Sequence, residues 1–351
     1  MTDKDSVLSA NANDESLIST SFAAITDLVS GSSIPDPIKK NAFKAFSQLC
    51  TAAIDIPVSW LEGIASENRA ESEARVKIIQ ASADQIAAQV NVDPAYARAA
   101  VKKYGQKIIR EQVNLDMVSE AAAEELKKYA QSSTPENNVQ PINEDWLNQF
   151  EKEASQKSTE EMQLLFGRIL AGEIQHPTSF SIRTIKLLGA LDSRAAILFK
   201  RVCSLSMSIV IRVSNLVIDV RVSSLGGNAG HNSLQNYGLS FDQLNILHEY
   251  GLIIPDYNSW SDYSVVIADQ NHHVPFGFHY QGRLWGLDAI NGRSANQDFH
   301  LTGVALSRAG RELLTVVDIE SVDDYTSALH EFFIKQNLRM VSCSPPQQEK
   351  T

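Results

Sequence analysis

The chain is short of cysteine, has no basic segment and carries no long apolar run. Each absence excludes something. Cys50, Cys203 and Cys343 are far apart, odd in number and never in a Cys-x-x-Cys pair, so they offer neither a disulfide framework nor a zinc knuckle. Cys50 and Cys203 fall in apolar helical stretches and read as buried thiols of a reducing compartment. No run approaches the roughly 18 apolar residues of a membrane-spanning helix. Residues 1–14 are polar and acidic, unlike a signal peptide, and a cytoplasmic location is expected. Net charge is −11, and residues 1–140 hold 14 basic against 19 acidic side chains. No broad segment has the electrostatic footprint of phosphate-backbone binding, so nucleic acid is not an expected partner.

Catalytic signatures are missing too. There is no G-x-S-x-G and no H-E-x-x-H, and the Gly226–Gly230 loop is not followed by the Lys-Ser/Thr of a phosphate loop. The reading leans away from an enzyme, with no cofactor and no small-molecule substrate.

What is present is the composition of an ordinary globular chain. Hydrophobic residues make up 43% and charged residues 21% of 351, enough for two or three domains. Residues 1–35 read as a mobile tail and 341–351 as another. Residues 36–130 form a long-helix region. Residues 131–142 (QSSTPENNVQPI) are a linker by composition. A helical core follows over 143–206, then a smaller α+β module over 207–340.

Within the long-helix region, Ile38, Ala42, Phe46 and Leu49 recur at helical spacing. Val76, Ile79, Ile86 and Val90 alternate by threes and fours, an a/d seam. Asp93-Pro94 restarts the helix as cap and first residue, and Val101, Tyr104 and Ile108 continue the pattern to about Tyr129. Two readings stay open: antiparallel helices packed within one chain, or a coiled coil between chains. The second makes Val76, Ile79, Ile86, Val90, Val101 and Ile108 an oligomer interface. The core opens at Asn143, with Ser158-x-x-Glu161 as a capping box for the following helix. From residue 207 the pattern turns β-branched and alternating. Ser240-x-x-Gln243 opens a short helix over Phe241–Tyr250. The helix–strands–helix order over 240–316 suggests a winged-helix-like unit. Its short helix carries Asp242 and Glu249 but no Arg or Lys, which favours protein contact over DNA reading.

The stretch Leu165–Ile174 (LFGRILAGEI), the run Ser179–Thr184 (SFSIRT) and the segment Leu191–Leu205 (LDSRAAILFKRVCSL) resemble the core of a bacterial family known as domain of unknown function 2806. Thr178 stands where that family's turn has Gly. The segments Leu244–Ile253 and Leu301–Leu313 fit as well and Pro57–Glu73 more loosely, so the resemblance spans about residues 55–315. The helical block is more distantly similar to the Abi-alpha abortive-infection family. That likeness implies a part in phage defence, as fold-level analogy.

Three groups of residues stand out as sites. Arg168, Glu173 and Arg183 suggest a buried ion pair that fixes how two helices meet, with Glu173 facing Arg183, or an anion site built on the two arginines. Six of eight histidines lie over 231–300. His272, His273 and His279 are the weak metal candidates, and a metal-dependent hydrolase or nuclease using the 272–300 histidines is one alternative function. Residues 42–64, with Phe46 and Trp60, could instead lie against a membrane interface. The leading expectation is a non-catalytic, oligomerising or partner-binding protein: α+β and predominantly α, with a homo-oligomer or protein partner.

Overall fold

The computed structural model describes residues 34–50, 93–132, 139–214, 216–268 and 274–343. The chain divides into two compact units, Met1–Gly189 and Ala190–Thr351. The boundary falls inside the stretch that sequence grouped as one core over 143–206. The reason is local: the helix over Ser193–Leu205 passes directly into a strand at Ser206.

In the first unit, α1 (Asp36–Leu49) starts behind Pro35. It buries Ile38, Ala42, Phe46 and Leu49, the stripe its spacing predicts. The next described helix, α2 (Pro94–Ser132), runs 39 residues, about 58 Å at 1.5 Å per residue. The Asp93 carboxylate caps it, accepting from the Ala95 and Tyr96 amides. Helix α3 (Glu144–Ala154) is capped by Asn143, and Glu144 and Asp145 offset the helix dipole in its first turn. Helices α4 (Glu160–Gln175) and α5 (Ile182–Ala190) follow. The Ser158 capping box does not form. Thr159 is the N-cap of α4 and makes no side-chain bond.

The core between these helices is aromatic. The Trp146 ring stacks on Phe150 at 5.1 Å, and Phe150 meets Phe166 edge-on at 5.5 Å. Trp146 Nε1 donates to the Phe180 carbonyl at 2.8 Å. Helices α2 and α4 approach closely at Gly167, where a Cβ would stand 2.5 Å from that of Ala121. Asn41 is buried and acts as a clamp. It donates to the carbonyls of Gln140 and Ile174 and accepts from the Ile142 amide. The C-terminal end of the expected linker is therefore pinned to α1.

The second unit opens with α6 (Ser193–Leu205), capped by Asp192. Its eight described strands are β1 (Ser206–Ile211), β2 (Val217–Ser223), β3 (Ser259–Asp262), β4 (Ile267–Ala268), β5 (Phe276–Tyr280), β6 (Arg283–Ala289), β7 (His300–Ala305) and β8 (Leu338–Ser342). The sheet order is β3–β7–β2–β1–β5–β6, antiparallel throughout. On one edge of β6, short β4 pairs in parallel beyond the residues that meet β5, and β8 covers the other edge. The β-branched run from residue 207 folds as the antiparallel pair β1–β2. Helices α7 (Phe241–Glu249), α8 (Arg308–Leu314) and α9 (Asp323–Lys335) complete the unit. Ser240 and Gln243 form the reciprocal capping box read from sequence. The protein is thus α+β, with a larger sheet than the sequence indicated.

Candidate interaction surface

The two halves of α2 have different surroundings. In the C-terminal half, Leu115, Val118, Ala122 and Leu126 are buried, and α4 packs closely there through Gly167. In the N-terminal half, large side chains face solvent. Tyr96 and Tyr104 are exposed, Ile108 is 39% and Ile109 66% exposed, and Val113 follows at 46%. At 100° per residue, Ala97, Tyr104, Ile108, Leu115, Ala122 and Leu126 share one side of the helix. The stripe that builds the core at one end therefore stands in water along most of the other.

Charge is also divided along α2. Residues 94–113 carry Arg98, Lys102, Lys103, Lys107 and Arg110 against one acid, Glu111. Residues 114–132 carry Asp116, Glu120, Glu124 and Glu125 against Lys127 and Lys128. A helix dipole favours acids at the N-terminal end and bases at the C-terminal end. Apart from its last turns, α2 has the reverse order, so its own stability does not account for this layout.

Of the expected oligomer residues, Ile108 is at this surface. Val101 lies on α2, and Val76, Ile79, Ile86 and Val90 lie outside the described residues. Trp60 lies outside them as well. Phe46 is fully buried in the α1 stripe, which corrects its assignment as a membrane contact: a side chain already in the core has no apolar face to offer a bilayer. No described helix is long and apolar enough to cross a membrane.

The Arg168–Glu173–Arg183 group is arranged differently from either expectation. Glu173 is buried near the end of α4, and its carboxylate clasps the following turn. Oε1 accepts from the Thr178 amide at 2.7 Å and Oε2 from the Phe180 amide at 3.0 Å. Arg183 is exposed on α5, and Arg168 Nε lies 3.9 Å from Glu125 of α2. The pairing of Glu173 with Arg183 is thus replaced by a carboxylate–amide clasp. The turn needs it, because Thr178 sits at φ 76°, in the region where a β-branched residue is strained and glycine is not.

The described histidines of this stretch do not converge. His279 is on β5 and His300 on β7, three strand spacings or about 14 Å apart across the sheet. Partial burial pushes the His279 imidazole pKa below its ordinary value. His300 stacks on the exposed Trp260 ring at 4.0 Å. His272 and His273 lie outside the described residues. Among the described residues no group of three or more His, Cys, Asp or Glu is placed to hold a metal ion.

Sequence reasoning missed two buried polar groups, one inside each unit. Asn41 is one, an amide in a helix with no local signature. The other is Arg221 on β2, nearly fully buried. It forks onto Asp219 at 2.6 and 2.8 Å and donates to the Ser259 and Leu301 carbonyls of β3 and β7. With four hydrogen bonds the fork ties three strands together.

The family model described as "Protein of unknown function (DUF2806)" matches residues 98–330, more than half of the chain. No curated protein and no solved structure is significantly similar.

Proposed function

The chain belongs to the DUF2806 family of proteins of unknown function, and from that starting point we propose that it is a non-catalytic protein acting by association, with itself or with a protein partner, through α2. One observation carries this reading: Tyr104, Ile108, Ile109 and Val113 are exposed on a helix whose other half is packed into a core. Burying such side chains against a partner recovers about 1.5–3 kcal/mol for each large aliphatic one that becomes fully covered. A partner also supplies the neighbours that the heptad spacing calls for. A winged-helix-like reading of α7, the following strands and α8 belongs to the same proposal, as a second protein-contact unit. Its support is the short helix, which carries Asp242 and Glu249 and no Arg or Lys. A part in bacterial phage defence is proposed on the Abi-alpha resemblance of residues 145–205 alone, and a cytoplasmic site of action goes with it.

The test is sedimentation velocity on the full chain and on a double variant, Ile108→Glu with Ile109→Glu, both at exposed positions. Self-association in the wild type that the variant loses supports the reading. So does a monomeric wild type that forms a complex with a host-cell protein through the same residues. A chain that stays monomeric and holds stoichiometric metal or turns over a substrate overturns it in favour of the hydrolase reading. A chain that sediments with vesicles independently of α2 overturns it in favour of the membrane reading.

A further inference from the structure

The face of α2 opposite its core stripe has a pattern of its own. Gln106, Ile109, Val113, Met117, Glu120 and Glu124 follow at steps of three and four and share one side of the helix. The centre is apolar: Ile109 is 66% exposed, Val113 46%, and Met117 is partly exposed. Basic residues flank it toward the N-terminus, where Lys103 and Arg110 are exposed. Acids flank it toward the C-terminus, with Glu124 exposed and Glu120 partly so. This order has a symmetry. A two-fold axis at Val113 sets Ile109 against Met117 and Gln106 against Glu120. It also brings Lys103 within one residue of the position opposite Glu124.

We propose that this face is a homodimer interface in which two α2 helices cross antiparallel about Val113, each copy's basic half lying over the other's acidic half. The inference rests on the associating reading above and names both its occupant, a second copy of this chain, and its geometry. Charge selects the arrangement. A parallel pair would set Lys103 on Lys103 and Glu124 on Glu124, and like charges in register repel. The antiparallel pair instead brings Lys103 near Glu124 and sets Arg110 opposite Asp116. An isologous contact of this kind uses the same patch on both copies and closes without further growth. It also accounts for a charge order that the helix dipole opposes. The interface differs from the seam through Val101 and Ile108, which lies on another side of the helix.

Cross-linking the full chain tests this, in a Cys343→Ser background that leaves only the buried Cys50 and Cys203. Val113→Cys sits on the axis and is expected to form an interchain disulfide under mild oxidation, whereas Tyr104→Cys, displaced from the axis and on another side, is not. The charge test uses sedimentation equilibrium. Lys103→Glu is expected to weaken the dimer about tenfold, roughly the 1.4 kcal/mol of two reversed pairs, and Lys103→Glu with Glu124→Lys to restore it. A wild-type dimer that neither cross-links at Val113→Cys nor responds to Lys103→Glu overturns this interface and leaves the associating reading standing. A wild type that is monomeric at every concentration overturns the interface and self-association together. A trimer or larger ring overturns the two-fold arrangement.

Discussion

Single residues decide the turn after α4. Thr178 carries a β-branched side chain at φ 76°, and a left-handed conformation costs such a residue about 1–2 kcal/mol. Its side chain is exposed, so no packing is lost on removal. Thr178→Gly is expected to raise stability by up to about 1 kcal/mol once the extra freedom of glycine in the unfolded chain is subtracted, measured as a higher urea midpoint. An unchanged or lower midpoint means the turn is not strained there. Glu173→Ala leaves the Thr178 and Phe180 amides without their acceptor, one of them buried. It is expected to cost about 3 kcal/mol, and Glu173→Gln less, because one carbonyl oxygen remains. The same reasoning applies to thiols. Burial pushes the Cys50 thiol up to about 12 and Cys203 higher still. Only the thiolate reacts, so a disulfide reagent at neutral pH is expected to titrate Cys343 in the folded chain and all three cysteines after unfolding. Prompt native reaction of all three would contradict the buried placement.

At the scale of elements, what was legible in the sequence was local. Asp93, Asn143, Asp192, Ser240 and Ser307 each cap the helix that they precede, because a capping bond closes within three residues. The β1–β2 hairpin and strands β5, β6 and β7 follow β-branched or aromatic runs. The failures required distant partners. Strand β8 has only Leu338 and Met340 buried, and it exists because β6 offers an edge. Strand β3, Ser-Trp-Ser-Asp, has little intrinsic strand preference and is held by β7 and by Arg221 donating to Ser259. The basic half of α2 was hidden by averaging, since four acids and two bases in the other half of the helix cancel much of it within a 140-residue total. The α2–α4 crossing is the element most sensitive to a small change. Gly167→Ala puts a methyl 2.5 Å from the Ala121 Cβ and 3.0 Å from the Ala122 amide nitrogen. Forcing that much extra volume into a packed crossing is expected to cost about 1–3 kcal/mol, read as a drop in Tm with helix content otherwise kept.

For the whole molecule, the proposal of association rests on α2. Among the described residues, the buried Arg221 ties three strands and the buried Glu173 holds a turn. The feature that the proposal uses is the surface of a long helix, apolar in patches and ordered in charge. A surface contact that depends on Lys103 and Glu124 weakens as salt screens it, with a Debye length near 8 Å at physiological strength. The dimer is therefore expected to loosen between 50 mM and 500 mM salt, and a dimer indifferent to salt would mean that the apolar patch alone holds it.

The most direct measurement is a native mass spectrum of the full chain at near-physiological salt. The account predicts a discrete dimer whose mass is twice that of the chain, with nothing added. A monomer carrying a metal ion or a small-molecule adduct would contradict it and return attention to the histidines and to Arg168.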